Sequence, residues 1–97
     1  AKLIWTEESL RWLRDIGDYL AERSPKAAVS VTEGIFQKAQ VLIDHPKLGY
    51  RFQEIEDREV RELIYGHYRI VYELKDSNAV YVLAVFHAAM DIERLQF

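Results

Sequence analysis

Four polar residues on predicted strands are where this sequence could do chemistry: Arg58, Arg61, Arg69 and His87. A guanidinium presents a rigid fork of donors suited to phosphate or carboxylate, and an imidazole titrates near neutral pH, so the set could grip an anion or pass a proton. Their spacing matches no catalytic arrangement: GxSxG, HExxH, a phosphate-cradling loop and metal-spaced histidine pairs are all missing from the sequence. Arg69 stands in the middle of an apolar strand and must reach solvent or a carboxylate, for which Glu59, Glu62 and Glu73 are the candidates. A cross-strand ion pair is the favoured account of it, with a target contact as the alternative. His87 closes the last strand with no acid or nucleophile beside it, which fits a structural role as well as a target contact. His45 ends a helix and His67 sits in a turn. Tyr65, Tyr68, Tyr72 and Tyr81 all fall on strands, where they could stack bases as sheet-type RNA binders do. Tyrosine is also a good strand former, and the interleaved Lys and Arg of an RNA-binding sheet are lacking. Trp5 and Trp12 read as core packing.

The elements that position these residues follow from local signals. Thr6 caps a first helix, with Glu7 and Glu8 at the positive end of its dipole. Its apolar stripe is Leu10, Leu13, Ile16 and Leu20, flanked by Trp12 and Tyr19, and it ends near Arg23. Ser24 followed by Pro25 restarts a helix that runs to about Asp44, with Ala28, Val31, Ile35, Ala39, Leu42 and Ile43 inward, until His45-Pro46 stops it. A link this short forces an antiparallel helical hairpin. Beyond it the period changes to that of strands at Glu59 to Tyr65, Tyr68 to Lys75 and Ala79 to His87, joined by Gly66-His67 and by Asp76-Ser77-Asn78. In the middle strand Ile70, Tyr72 and Leu74 share a dry face that should carry the helices, opposite a mixed face of Arg69, Val71, Glu73 and Lys75. The fold class is therefore α+β: an N-terminal helical hairpin packed on one face of a small antiparallel β-sheet, in a single domain over residues 1–97.

Composition narrows the function. Apolar residues are 49% of the chain and charged ones 30%, as in a folded globular domain, and the net charge of −3 argues against gripping a nucleic-acid backbone. There is no apolar run long enough to span a bilayer and no secretory leader, and cysteine is absent, so a cytoplasmic protein without disulfides or thiolate metal sites is expected. The last strand, 79–87, is apolar on both faces, and a chain of 97 residues struggles to cover both. Its edge and a half-covered sheet face are thus expected to await a protein partner.

The succession Ile4-Trp5-Thr6, Asp18-Tyr19-Leu20-Ala21, Ser24-Pro25-Lys26-Ala27-Ala28, His45-Pro46-Lys47-Leu48-Gly49, Arg58-Glu59, Tyr68-Arg69-Ile70-Val71-Tyr72 and Val85-Phe86-His87 resembles the ParE/RelE superfamily of bacterial toxins, and its ParE branch in particular. The likeness extends over essentially the whole chain. It implies a type II toxin neutralised by a bound ParD-like antitoxin, with no cofactor and no metal. ParE-like members poison DNA gyrase without an established catalytic centre, whereas RelE-like members cleave mRNA in the ribosome with the help of basic residues.

Charge favours the first class, because a nuclease needs cations to hold RNA and to stabilise its transition state, and the last eleven residues here contain one basic residue, Arg94. By the resemblance, Arg69 corresponds to the arginine of the Tyr-Arg-Ile-x-Tyr strand, and His87 to the histidine ending the final strand. Three residues later, where the family commonly has arginine, this chain has Met90, which exchanges a permanent charge for a thioether. The expected target-binding residues are Arg58, Arg61, Arg69, His87 and Met90, with DNA gyrase as target. Leu10, Leu13, Val71 and Tyr81 are expected to meet the antitoxin, as a helix along the hairpin and an extended segment over the sheet. No membrane association and no sequence-specific nucleic-acid binding by the chain alone are expected. A ribosome-dependent endonuclease and an attenuated relative marked by Met90 are the alternatives.

Overall fold

Capping chemistry places both helices where the sequence puts them. In this computed structural model, which describes residues 1–76 and 78–89, the Thr6 hydroxyl accepts the Ser9 N–H at 3.1 Å and opens α1, Glu7–Ala21. The Ser24 hydroxyl likewise accepts the Ala27 N–H and opens α2, Pro25–Ala39, with proline in the first turn. A short 3₁₀ turn, Gln40–Ile43, completes the expected reach of the second helix. The strands are β1 Lys2–Trp5, β2 Tyr50–Arg51, β3 Glu59–Tyr65, β4 Tyr68–Lys75 and β5 Ala79–His87.

β3, β4 and β5 form the expected antiparallel meander, and Gly66 supplies the positive φ of 58° in the tight β3–β4 turn. The whole sheet has five strands in the order β1-β5-β4-β3-β2, and it is mixed. β1 lies parallel to β5, with Lys2 opposite Ala79 and Trp5 opposite Val82. The N-terminal apolar segment thus occupies the edge that the sequence leaves open beside β5. That corrects the expectation of an exposed final strand: β5 is apolar on both faces because it is an inner strand, hydrogen-bonded to β1 on one side and β4 on the other.

Residues directly opposite one another share a face of the sheet. Tyr65, Ile70, Tyr72, Val82 and Trp5 therefore belong to one side. α2 packs there, since the Tyr65 ring lies against Gly34 and Trp5 stacks on Phe36 at 5.7 Å. This is the dry face identified from the middle strand. The opposite side is less open than expected, because Val60, Val71 and Ala84 are buried as well. Phe52 and Ile55, from the connector before β3, are among the partly buried residues packed against the core.

The buried stripe of α1 is rotated from the one its apolar spacing indicates. Ser9, Trp12 and Ile16 are buried, while Leu10 is 46% exposed and Tyr19 points to solvent. Trp12 turns the helix inward by packing on Phe86, with ring centroids 6.3 Å apart. A buried tryptophan removes more apolar surface from water than a leucine, so it decides the orientation. In the second helix Ile43 is likewise at the surface, whereas Ile35, Ala39 and Leu42 are fully buried.

Candidate functional site

Each of the three arginines singled out by the sequence is paired with a glutamate, Arg58 from the residue just before β3. Arg58 holds Glu73 in a two-point clamp, Nε to Oε2 at 3.0 Å and Nη2 to Oε1 at 2.8 Å. Glu73 is buried and Lys75 approaches the same carboxylate at 3.9 Å. The Arg58 hydrogen bonds are the main reason that the Glu73 carboxyl lies below its usual value of 4.5, ahead of burial, which pushes the other way. Arg58 is in turn raised, chiefly by the same hydrogen bonds.

Arg61 pairs with Glu59 at 2.8 Å and donates through Nη1 to the carbonyls of Lys47 and Gly49, so it pins the loop before β2 to the sheet. The Tyr72 hydroxyl holds the same loop from beneath, accepting the Gly49 N–H at 2.9 Å and donating to the Pro46 carbonyl at 2.8 Å. Burial raises the Tyr72 phenol above its usual 10, and the Gly49 bond partly opposes this. Arg69 pairs with Glu62 at 2.9 Å across β3 and β4, and its Nη1 also donates to the carbonyls of Gly66 and Tyr68. The cross-strand ion pair anticipated for Arg69 is present, with Glu62 chosen from the three candidate glutamates.

His87 is half-buried at the end of β5, between Tyr68 and His67. The structure does not bring these four groups into one constellation. Arg61 faces the loop at 47–49, Arg58 and Glu73 lie towards one end of the meander, and Arg69 and His87 lie towards the other. Met90 lies outside the described residues. The strand tyrosines make no open stacking platform: Tyr72 is fully buried, Tyr65 lies under α2, and Tyr81 sits 5.0 Å beneath the Lys75 ammonium.

Open apolar ground lies instead on the outside of the helical hairpin. Leu10 and Leu13 of α1, with Thr32 and Phe36 of α2, line a groove between the helices whose polar rim includes Arg14, Asp18, Glu33 and Gln37. Phe36 is 42% exposed and Val29 is 56% exposed. Two of the expected antitoxin contacts, Leu10 and Leu13, are here. Val71 has no exposed surface and so offers nothing to a partner in this conformation, and Tyr81 is partly covered. Val29 and Phe36 escaped the sequence reading, although a signal exists: they are apolar, seven residues apart and outside the inward stripe of α2, which marks a second apolar face. A further patch, Leu48, Tyr50 and Ile64, is exposed near the β2–β3 edge.

An α-helical hairpin on a mixed five-stranded sheet defines the class to which the chain belongs. A solved structure titled the chromosomal ParDE TA system from P. aeruginosa shares this fold, with a TM-score of 0.71 and 19% sequence identity, covering 89% of this chain and 94% of that one. The model of the ParE toxin of the type II toxin–antitoxin system parDE matches residues 3–92. The chain belongs to the ParE toxin family. No curated protein matches it significantly by sequence. No helix among the described residues is long and apolar enough to cross a membrane.

Proposed function

We propose that the protein is a ParE-type toxin that acts by binding DNA gyrase and is neutralised by a ParD-type antitoxin seated on the helical hairpin. The observation that carries the antitoxin half of this reading is the groove between α1 and α2, where Leu10, Leu13 and Phe36 form an apolar strip with charged residues along its rim. An amphipathic helix with apolar residues at i, i+3/i+4 and i+7 suits such a strip. The association of the similar P. aeruginosa protein with a ParDE system supports a partner of that kind.

Binding, in preference to catalysis, is supported by the state of the cations. Cleaving RNA adds negative charge to the reacting phosphate, which calls for guanidinium or ammonium groups free to meet it. Arg58, Arg61 and Arg69 are each engaged by a glutamate, and no two of them converge on a common point. The acidic balance of the whole chain points the same way.

Purified protein added to gyrase supercoiling and cleavage reactions, in parallel with mRNA cleavage on translating ribosomes, tests the proposal. Inhibited supercoiling with intact mRNA is the expected result, and codon-positioned mRNA cleavage refutes it. A ParD-type antitoxin should restore supercoiling and raise the melting temperature of the toxin by mass action.

A further inference from the structure

The sheet has a free edge beyond β2, which pairs with β3 on one side and with no strand on the other. The Phe52 N–H donates to the Val60 carbonyl at 2.9 Å, so by the alternation of an antiparallel pair the main-chain groups of Tyr50 and Phe52 point to β3 and those of Arg51 point outward. The Arg51 N–H and C=O are therefore presented to any strand that comes alongside. Its side chain also lacks a partner. Arg51 is exposed and stands directly opposite Arg61, an unfavourable juxtaposition of like charges. Glu59 and the carbonyls of Lys47 and Gly49 satisfy Arg61, while no carboxylate among the described residues pairs with Arg51. Tyr50 lies opposite Glu62, so it shares a sheet face with Glu62 and Ile64, the face turned away from α2. The Tyr50 ring is held in solvent, 73% exposed, diagonal to the exposed Ile64, and Leu48 just before it is exposed as well.

We infer that this edge is the surface through which the toxin grips its target: an extended segment of gyrase adds as a further strand beside β2 and exchanges main-chain hydrogen bonds with Arg51. Apolar side chains of that segment lie on Tyr50, Leu48 and Ile64, and a carboxylate meets the Arg51 guanidinium. The assignment rests on the gyrase reading given above. It replaces Arg58, Arg61 and Arg69 as the target-facing groups, because their guanidiniums are engaged within the chain. A second copy of the chain is the poorer occupant, since a two-fold pairing of this edge sets Arg51 against its own counterpart. The antitoxin has its seat elsewhere: its groove opens between the helices, whereas Tyr50 and Ile64 lie on the sheet face turned from them.

Full-chain variants assayed in parallel for inhibition of gyrase supercoiling and for affinity to a ParD-type antitoxin test the assignment. Tyr50→Ser should raise the concentration needed for half-inhibition at least about tenfold, as loss of an aromatic anchor does. Arg51→Gln removes the charge alone, whereas Arg51→Pro also removes the outward N–H without touching the ladder bonds of Tyr50 and Phe52. The proline variant should therefore inhibit more weakly than the glutamine one by at least about fivefold. All three should keep the wild-type melting temperature within a few degrees and the antitoxin affinity within about twofold, which separates loss of the contact from misfolding. Inhibition by Tyr50→Ser and Arg51→Pro equal to wild type overturns this edge as the target surface and leaves gyrase as the target. A loss confined to antitoxin affinity gives the edge to the antitoxin and overturns it too. A wild type that leaves supercoiling untouched removes the gyrase reading itself, and the assignment with it.

Discussion

Replacing Arg58 by methionine separates a structural arginine from a target-facing one. The substitution keeps most of the aliphatic length but leaves Glu73, whose side chain is 7% exposed, with only Lys75 at 3.9 Å. Removing one partner of a fully buried ion pair costs about 3–5 kcal/mol, because the remaining charge stays desolvated. Arg58 is itself 36% exposed, and Lys75 supplies part of the missing field, so the cost here is about 2–3 kcal/mol. For a domain of this size that corresponds to a fall in Tm of roughly 10–15 °C. Thermal unfolding followed by circular dichroism measures it. The sign of the pH dependence follows from Glu73: its folded pKa is below the usual 4.5, so the stabilisation is complete above that value and is lost as pH falls through the folded one. The gap between Arg58→Met and wild type should accordingly close in acid. The double variant Arg58→Met/Glu73→Gln should recover much of the loss at neutral pH, since no unpaired charge remains. A single variant within about 0.5 kcal/mol of wild type at neutral pH, the range of ordinary surface changes, refutes the structural role.

Three other outcomes follow from the packing. Gly34→Ala improves intrinsic helix propensity by about 1 kcal/mol, yet its new methyl would lie 2.7 Å from Tyr65 Cζ and closer still to the hydroxyl; a net loss of about 1–2 kcal/mol in denaturant unfolding is expected, and a gain would show that Tyr65 moves freely. Tyr72→Phe leaves the buried Gly49 N–H without its acceptor and should cost about 1–3 kcal/mol; spectrophotometric titration should find one tyrosine fewer in the last stages of ionisation above pH 10, because stability conferred by the neutral phenol is lost as pH rises past that value. Leu10→Glu changes a residue 46% exposed in the hairpin groove, so Tm should stay within a few degrees while antitoxin affinity falls at least about tenfold in a titration; unchanged affinity would move the antitoxin off this groove.

The arginines show how far the candidate site was legible. Three glutamates of β3 and β4, Glu59, Glu62 and Glu73, lie within a few residues of three arginines, so the existence of ion pairs could be read from the sequence, but their partners could not. Arg58 reaches Glu73 fifteen positions away because Glu73 is brought opposite Val60 by the β3–β4 register. Arg61 turns from the sheet towards Lys47 and Gly49 because Tyr72 holds that loop in reach. The second apolar face of α2, with Val29 and Phe36, was available in the spacing, whereas the burial of Val71 depends on what stacks over it.

Capping hydroxyls, the proline of the second helix, the Gly66 turn and the bounds of the three meander strands were determined by the sequence itself, because each depends on contacts within a few residues of chain. The parallel seat of β1 beside β5, the rotation of α1 that buries Trp12 and exposes Leu10, and the fit of Tyr65 over Gly34 were decided only by the tertiary structure. Those features join residues some thirty to eighty positions apart, and local periodicity carries no information about which of several apolar surfaces will be matched in shape and area across such a distance.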